Sequence, residues 1–329
     1  MYKVAVIYTG SLRTIRKTMR YFKKNVVLHS NVHVFACVQN DTTLMASQQE
    51  SWIRGELGDH LKNIEWFNLA IHSDWVKHRD YLIDNMNIEE HRSKYLKNSG
   101  SIIEYYQLQL AYIKMVHFER ANGKYDYIIR LRTDTIFAKP IDFHWLHWSD
   151  SDVEARLALI QKELVESNIE ADTMQYFMNT ILSDTIIPNI YNITGKMIQG
   201  RDATATATAT ATCATCATCA TCATSLNNYI KKGSYILTFR NNLLYIIRRD
   251  LFYTIPCIGS MYGYFDMNHS YWWNSESQFE AMCHHSNITI YDYSTTFDEK
   301  SLYSYDEKRY FDLDYNILNP FMIYCVVRY

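Results

Sequence analysis

The chain has 329 residues, 48% of them hydrophobic, with 33 lysines and arginines against 35 acidic residues and a formal net charge of -2. That length suits one large domain or two small ones with a sizeable core, and the even charge balance argues against a protein that tracks nucleic acid or an anionic membrane with a basic surface. No apolar run approaches the roughly 18 residues that span a bilayer, and Met1 runs directly into a strand-like segment, so the expectation is a soluble cytoplasmic protein with no nucleic-acid partner and no membrane span.

Glycine is scarce, at 10 residues, where average usage gives roughly 23. Neither G-x-x-x-x-G-K-[ST] nor G-x-G-x-x-G occurs, which argues against P-loop and dinucleotide-binding enzymes.

Taken in chain order, Val4–Tyr8 is an apolar strand, Thr9-Gly10-Ser11 a turn, Leu12–Leu28 a helix and Val32–Val38 a second strand. Strand, helix and strand with short joints open a parallel sheet, so the fold class is α/β. Ile64–Leu69 is a third strand and a helix lies within Ser73–Leu96. A longer helix follows Ser99-Gly100-Ser101, carries Ile102, Tyr105, Tyr106, Leu108, Ile113, Val116 and Phe118 as a core stripe, and ends at Asn122-Gly123. The segment from Asp126 to Asp134 is a strand, continued by Thr135-Ile136-Phe137 and broken at Pro140.

Two helices are expected over Ser151–Ser183, then strand or loop over Ile186–Gly200. Residues Ala203–Thr224 are a low-complexity Ala/Thr/Cys tract that holds four of the eight cysteines, Cys213, Cys216, Cys219 and Cys222. Every position there is repeat, so its cysteine spacing reads as a slippage-born insertion in a surface loop instead of a cluster ligand run. The other four, Cys37, Cys257, Cys283 and Cys325, read as reduced core thiols. Beyond the tract, strands are expected at Tyr235–Phe239 and Leu243–Ile247, a helical turn at Asp250–Tyr253, a loop at Gly259–Gly263, a helix at Ser275–His284 and a final strand at Ile288–Ile290. Nothing marks a linker, so 1–329 reads as one domain: a nucleotide-binding half (1–140), a helical insertion (141–202), the tract (203–224) and an acceptor-side half (225–329).

The strand ending at Asp134 carries the chemistry. Alternation directs Ile128, Arg130, Arg132 and Asp134 to one face, and two guanidiniums and a carboxylate in a helix-covered strand are costly unless paired or serving a ligand. Ligands of open α/β sheets bind beyond the carboxyl ends of the strands. There the arginines can fork onto phosphate oxygens and the carboxylate can hold a hard divalent cation, or the three can pair among themselves. Gly10 permits a tight turn before a helix whose free N–H groups, with Arg13 one turn in, make an anion seat; the alternative is a plain turn and a solvated arginine. Glu276 opens a helix after Tyr271-Trp272-Trp273, as a proton acceptor or as a first-turn acid favoured by the helix dipole. His284, His285 and Asp250 read as helix-end residues.

These segments resemble, in order, the GT-A-type glycosyltransferases, and within them a subset from polysaccharide-assembly systems that has S-G-Q-x-R after its first strand and R-x-R-x-D later. Thr9-Gly10-Ser11-Leu12-Arg13 is similar to the first motif and Arg130-Leu131-Arg132-Thr133-Asp134 to the second. Asn242–Phe252 and Trp273–Phe279 are similar to the strand and acidic helix start that follow. The signature departs from D-x-D in having Arg132 at the first acidic position. The resemblance implies a GT-A-like, mostly parallel sheet flanked by helices. It implies a nucleotide-sugar donor seated by Thr9, Gly10, Ser11 and Arg13, phosphates held by Arg130 and Arg132, Mn2+ or Mg2+ on Asp134, and Glu276 as the base that activates a glycan or other hydroxyl acceptor. The rival expectations are a nucleotide- or carbohydrate-binding protein without turnover, and a structural interaction protein.

Overall fold

A computed structural model describes residues 3–28, 32–39, 46–98, 100–137, 235–240, 244–260, 274–292 and 324–326. The expected helical insertion, the repeat tract, and residues Trp272 and Trp273 lie outside the described residues. Among those described, no helix is long and apolar enough to cross a membrane.

The first strand, β1 (Val4–Ser11), is followed by α1 (Ile15–Phe22), which runs into a π-helical turn at Lys23–Val27, and by β2 (His33–Gln39). Then come α2 (Ala46–Leu57), β3 (Leu61–Phe67), α3 (Ser73–Asp84), α4 (Glu90–Asn98), the long α5 (Gly100–Asn122), β4 (Tyr127–Arg132) and β5 (Thr135–Phe137). The second half supplies β6 (Tyr235–Arg240), β7 (Leu244–Arg248), α6 (Ser275–His285), β8 (Thr289–Asp292) and β9 (Tyr324–Val326).

Seven strands form one sheet in the order β3-β2-β1-β4-β7-β6-β8. β3, β2, β1 and β4 are mutually parallel, and β7 alone runs the other way, antiparallel to both β4 and β6. The protein is therefore α/β with a mostly parallel sheet and flanking helices. β5 and β9 pair separately as a small antiparallel sheet just past the end of β4.

β1 is apolar at successive positions because both its faces are covered. Ala5 and Ile7 join Tyr105, Leu108, Ala111 and Met115 of α5 in the main core, while Tyr8 on the opposite face stacks on Phe22 of α1 with ring centroids 4.2 Å apart. Gly259 lies so close to α5 that an added Cβ would meet the Tyr105 carbonyl carbon at 2.7 Å, and its carbonyl accepts the Trp75 indole N–H at 2.8 Å.

Several sequence expectations change in detail. The helix expected from Leu12 begins at Ile15, and the single helix expected within Ser73–Leu96 is two, separated near Asn85. α2 carries too few apolar residues in ASQQESWIRGEL to announce itself. Cys37 and Cys283 are buried free thiols, whereas Cys257 is exposed and not part of the core.

Candidate functional site

The chain winds outward from β1 through β2 to β3 and then returns on the other side of β1 as β4. The strand order reverses at the β1–β4 boundary, where open α/β sheets form a ligand crevice beyond the strand ends. Register sets what lies there: Thr9 is beside Arg132, and Ser11 is beside Gln39 of β2.

Gly10 has φ +139°, and a Cβ there would collide with the Thr133 hydroxyl. Thr133 stitches this corner together. Its N–H donates to the Thr9 carbonyl at 2.9 Å, its hydroxyl donates to the Ser11 carbonyl at 2.7 Å, and its own carbonyl accepts from the Thr18 hydroxyl of α1 at 2.5 Å. Arg13 is exposed and stands in the turn ahead of α1, with its N–H on the Ser11 hydroxyl at 3.3 Å. The expectation of Arg13 one turn inside the helix is corrected accordingly: the chain stays extended to Ser11 and the helix starts later.

Arg130 and Arg132 face α5, as alternation requires, and meet Glu104 there. Arg130 Nη2 donates to Glu104 Oε1 at 3.0 Å, and Arg132 Nη1 donates to Glu104 Oε2 at 3.2 Å. Asp134, in the turn after β4, folds back to take Arg132 in a fork, Nε to Oδ1 at 3.0 Å and Nη2 to Oδ2 at 2.6 Å. Burial, then Asp134 and Glu276, push the Glu104 pKa above the usual carboxylate range, against the pull of Arg132 and Arg130. Burial also lowers the Arg130 pKa; for Arg132 burial is outweighed by Glu104 and Asp134, and its pKa rises.

Glu276 is placed by the start of α6. Asn274 caps that helix, its side chain accepting the Ser277 N–H at 2.7 Å, and the Tyr105 hydroxyl of α5 donates to the Ser275 carbonyl at 2.6 Å. The Ser275 hydroxyl donates to Glu276 Oε2 at 3.0 Å. His284 and His285 lie exposed in the last turn of α6, and Asp250 pairs with Arg248.

A cleft of about 490 Å³ joins these elements, with Gly10, Ser11, Arg13, Arg130, Arg132 and Glu276 all in its wall. Thr9 and Asp134 are not in the wall: Thr9 is fully buried, and Asp134 is 5% exposed behind Arg132. The wall also contains Glu104 and Gln107 of α5, Gln39 of β2, and Tyr95 of α4, which is 43% exposed. Sequence reading missed these four. The available signal was in α5, where Glu104 and Gln107, one turn apart, interrupt an apolar stripe.

As a cation site, Asp134 fits poorly. Both its oxygens are engaged by one guanidinium, and among the described residues no three His, Cys, Asp or Glu side chains group in a way that could hold a metal ion. The sequence matches no known family and no curated protein.

Proposed function

We propose that this chain is a GT-A-like glycosyltransferase that moves a sugar from a nucleotide-diphosphate donor to an acceptor hydroxyl. The observation that carries the reading is the meeting of the Gly10–Arg13 turn, the Arg130 and Arg132 pair and Glu276 in one cleft at the sheet's point of reversal. A volume of about 490 Å³ falls within the range of ligand clefts.

Adjacent strands are about 4.8 Å apart, so the cleft crosses from β2 over β1 to β4 in about 10 Å. That span suits a nucleoside at the Gln39 end, with the diphosphate over Gly10, Ser11 and Arg13, and the exposed ring of Tyr95 in the same wall offers a stacking face. Arg132 reaches the same phosphates from the floor. In the transfer, the bond from the anomeric carbon to the diphosphate oxygen breaks with its electron pair leaving on the phosphate. The acceptor oxygen bonds to the anomeric carbon, and Glu276 takes the acceptor's proton. Arg13 and Arg132 stabilise the charge that grows on the leaving diphosphate.

The pairing of both floor arginines with carboxylates favours the second reading, a nucleotide- or carbohydrate-binding protein without turnover. Calorimetry with UDP and GDP, each with and without Mn2+, followed by assay of nucleotide release from nucleotide sugars, separates the readings. Binding with release supports transfer, binding without release supports the second reading, and no nucleotide binding removes both.

A further inference from the structure

We infer that Glu104 is a positioning residue for the donor's phosphates, which it serves by giving up Arg132 and taking a proton from solvent as the nucleotide sugar binds. This rests on the nucleotide-sugar reading above and adds a proton to its binding step.

Glu104 divides its carboxylate between two guanidiniums of unequal accessibility. Its Oε1 accepts from Arg130, whose side chain is 1% exposed, at 3.0 Å; its Oε2 accepts from Arg132, whose side chain is 26% exposed in the cleft wall, at 3.2 Å. Arg132 is also held by the Asp134 fork through Nε and Nη2. Its Nη1, the nitrogen on Glu104, is therefore the one an entering phosphate can draw away while the fork stays whole. Arg130 is too deeply buried to follow, so Oε1 stays on it.

Among the described residues, the charges around Glu104 balance before any ligand arrives. Arg130 and Arg132 of β4 and Arg13 of the β1 turn stand against Glu104 itself, Asp134 after β4 and Glu276 of α6; Tyr105 on its own helix and Tyr245 of β7 are buried phenols that stay neutral. A diphosphate on Arg132 brings a negative charge on each phosphate beside a carboxylate that has just lost a partner, and like charges in a partly buried site resist being ionised together. Glu104 is the carboxyl that yields. Burial already raises its pKa, whereas Asp134 keeps its fork and Glu276 keeps the Ser275 hydroxyl. The proton goes to Oε2, and the new O–H donates to a phosphate oxygen, so a repulsion becomes a hydrogen bond.

The test is calorimetric titration of UDP-glucose, UDP-N-acetylglucosamine and GDP-mannose into the full chain from about pH 5.5 to about pH 8, in buffers of different ionisation enthalpy. Both phosphates of these probes are esterified at each end of the diphosphate, so they lack the terminal phosphate proton that titrates at about pH 6. In the wild type, binding takes up a proton and affinity falls about tenfold from the acid to the alkaline end, a pKa raised by about one unit in the complex being tenfold in affinity. Glu104→Gln, a neutral stand-in for the protonated carboxyl, takes up none and binds at the wild type's acid-side affinity throughout, while Glu276→Gln still takes up the proton. Uptake absent from the wild type, or persisting in Glu104→Gln, overturns the inference and leaves the donor reading standing. So does Glu104→Gln binding more weakly than wild type at every pH, the result of a merely structural carboxylate. Should Glu104→Gln fail to fold, the wild type and Glu276→Gln decide, and uptake missing from either overturns the inference. If none of the three probes binds at any pH, the donor reading itself falls, and the inference with it.

Discussion

Arg130 and Glu104 meet at 3.0 Å beneath the cleft, and Glu104 holds Arg132 with its other oxygen at 3.2 Å. A carboxyl whose pKa is higher in the folded chain than in the unfolded one takes up its proton first in the folded state as pH drops. Its stabilising contribution is therefore complete at acid pH, below the ordinary carboxylate value, and is lost as pH rises through the raised value. With the Glu104 pKa raised chiefly by burial, the wild-type Tm minus that of Glu104→Gln decreases as pH rises from the acid side towards neutrality. A difference that is flat or grows with pH contradicts this account of Glu104.

Gly10 cannot accept a side chain. With φ at +139° and the Thr133 hydroxyl where a Cβ would go, Gly10→Ala costs about 2 to 3 kcal/mol by strain and displacement of Thr133. Urea unfolding measures the cost, and the same variant loses nucleotide binding because the β1 turn moves.

Arg13 separates affinity from stability. It is exposed and stands outside α1, so Arg13→Ala changes the unfolding free energy by less than about 0.5 kcal/mol. UDP or GDP affinity falls about tenfold or more through the lost charge-assisted contact. Full retention of affinity, read by calorimetry, counts against the diphosphate seat.

Asp134→Asn tests what that carboxylate is for. Its fork with Arg132 makes it a structural partner, so the variant loses about 2 kcal/mol of stability while nucleotide affinity is kept within about threefold. Affinity that depends on Mn2+ in the wild type and disappears in Asp134→Asn would instead return Asp134 to the role of metal ligand.

Much of the sheet was readable because β1, β2 and β4 are buried on both faces and so carry unbroken apolar runs. Alternation along β4 correctly put Arg130 and Arg132 on one side. What it does not reveal is the partner brought from another element: Glu104 is distant in sequence and reaches the arginines only because α5 packs across the sheet over β1, the strand beside β4. Gln107, Tyr95 and Gln39 were hidden for the same reason. The placement of Arg13 was misjudged because nothing in Leu12-Arg13-Thr14 distinguishes a turn from a first helical turn, and Thr14 makes no side-chain cap to mark the boundary.

β4 borrows its outer neighbour from far along the chain, pairing through Leu131 with Leu244 of β7. During synthesis its open edge, flanked by the buried charges of the arginine cluster, must wait until residues 138–243 have left the ribosome. Contacts of such long separation close slowly, and an unpaired central strand is a template for association with other chains. Recombinant fragments ending shortly after Phe137 would inherit that exposed edge permanently, so the two halves of this sheet have to be produced as one polypeptide or supplied together.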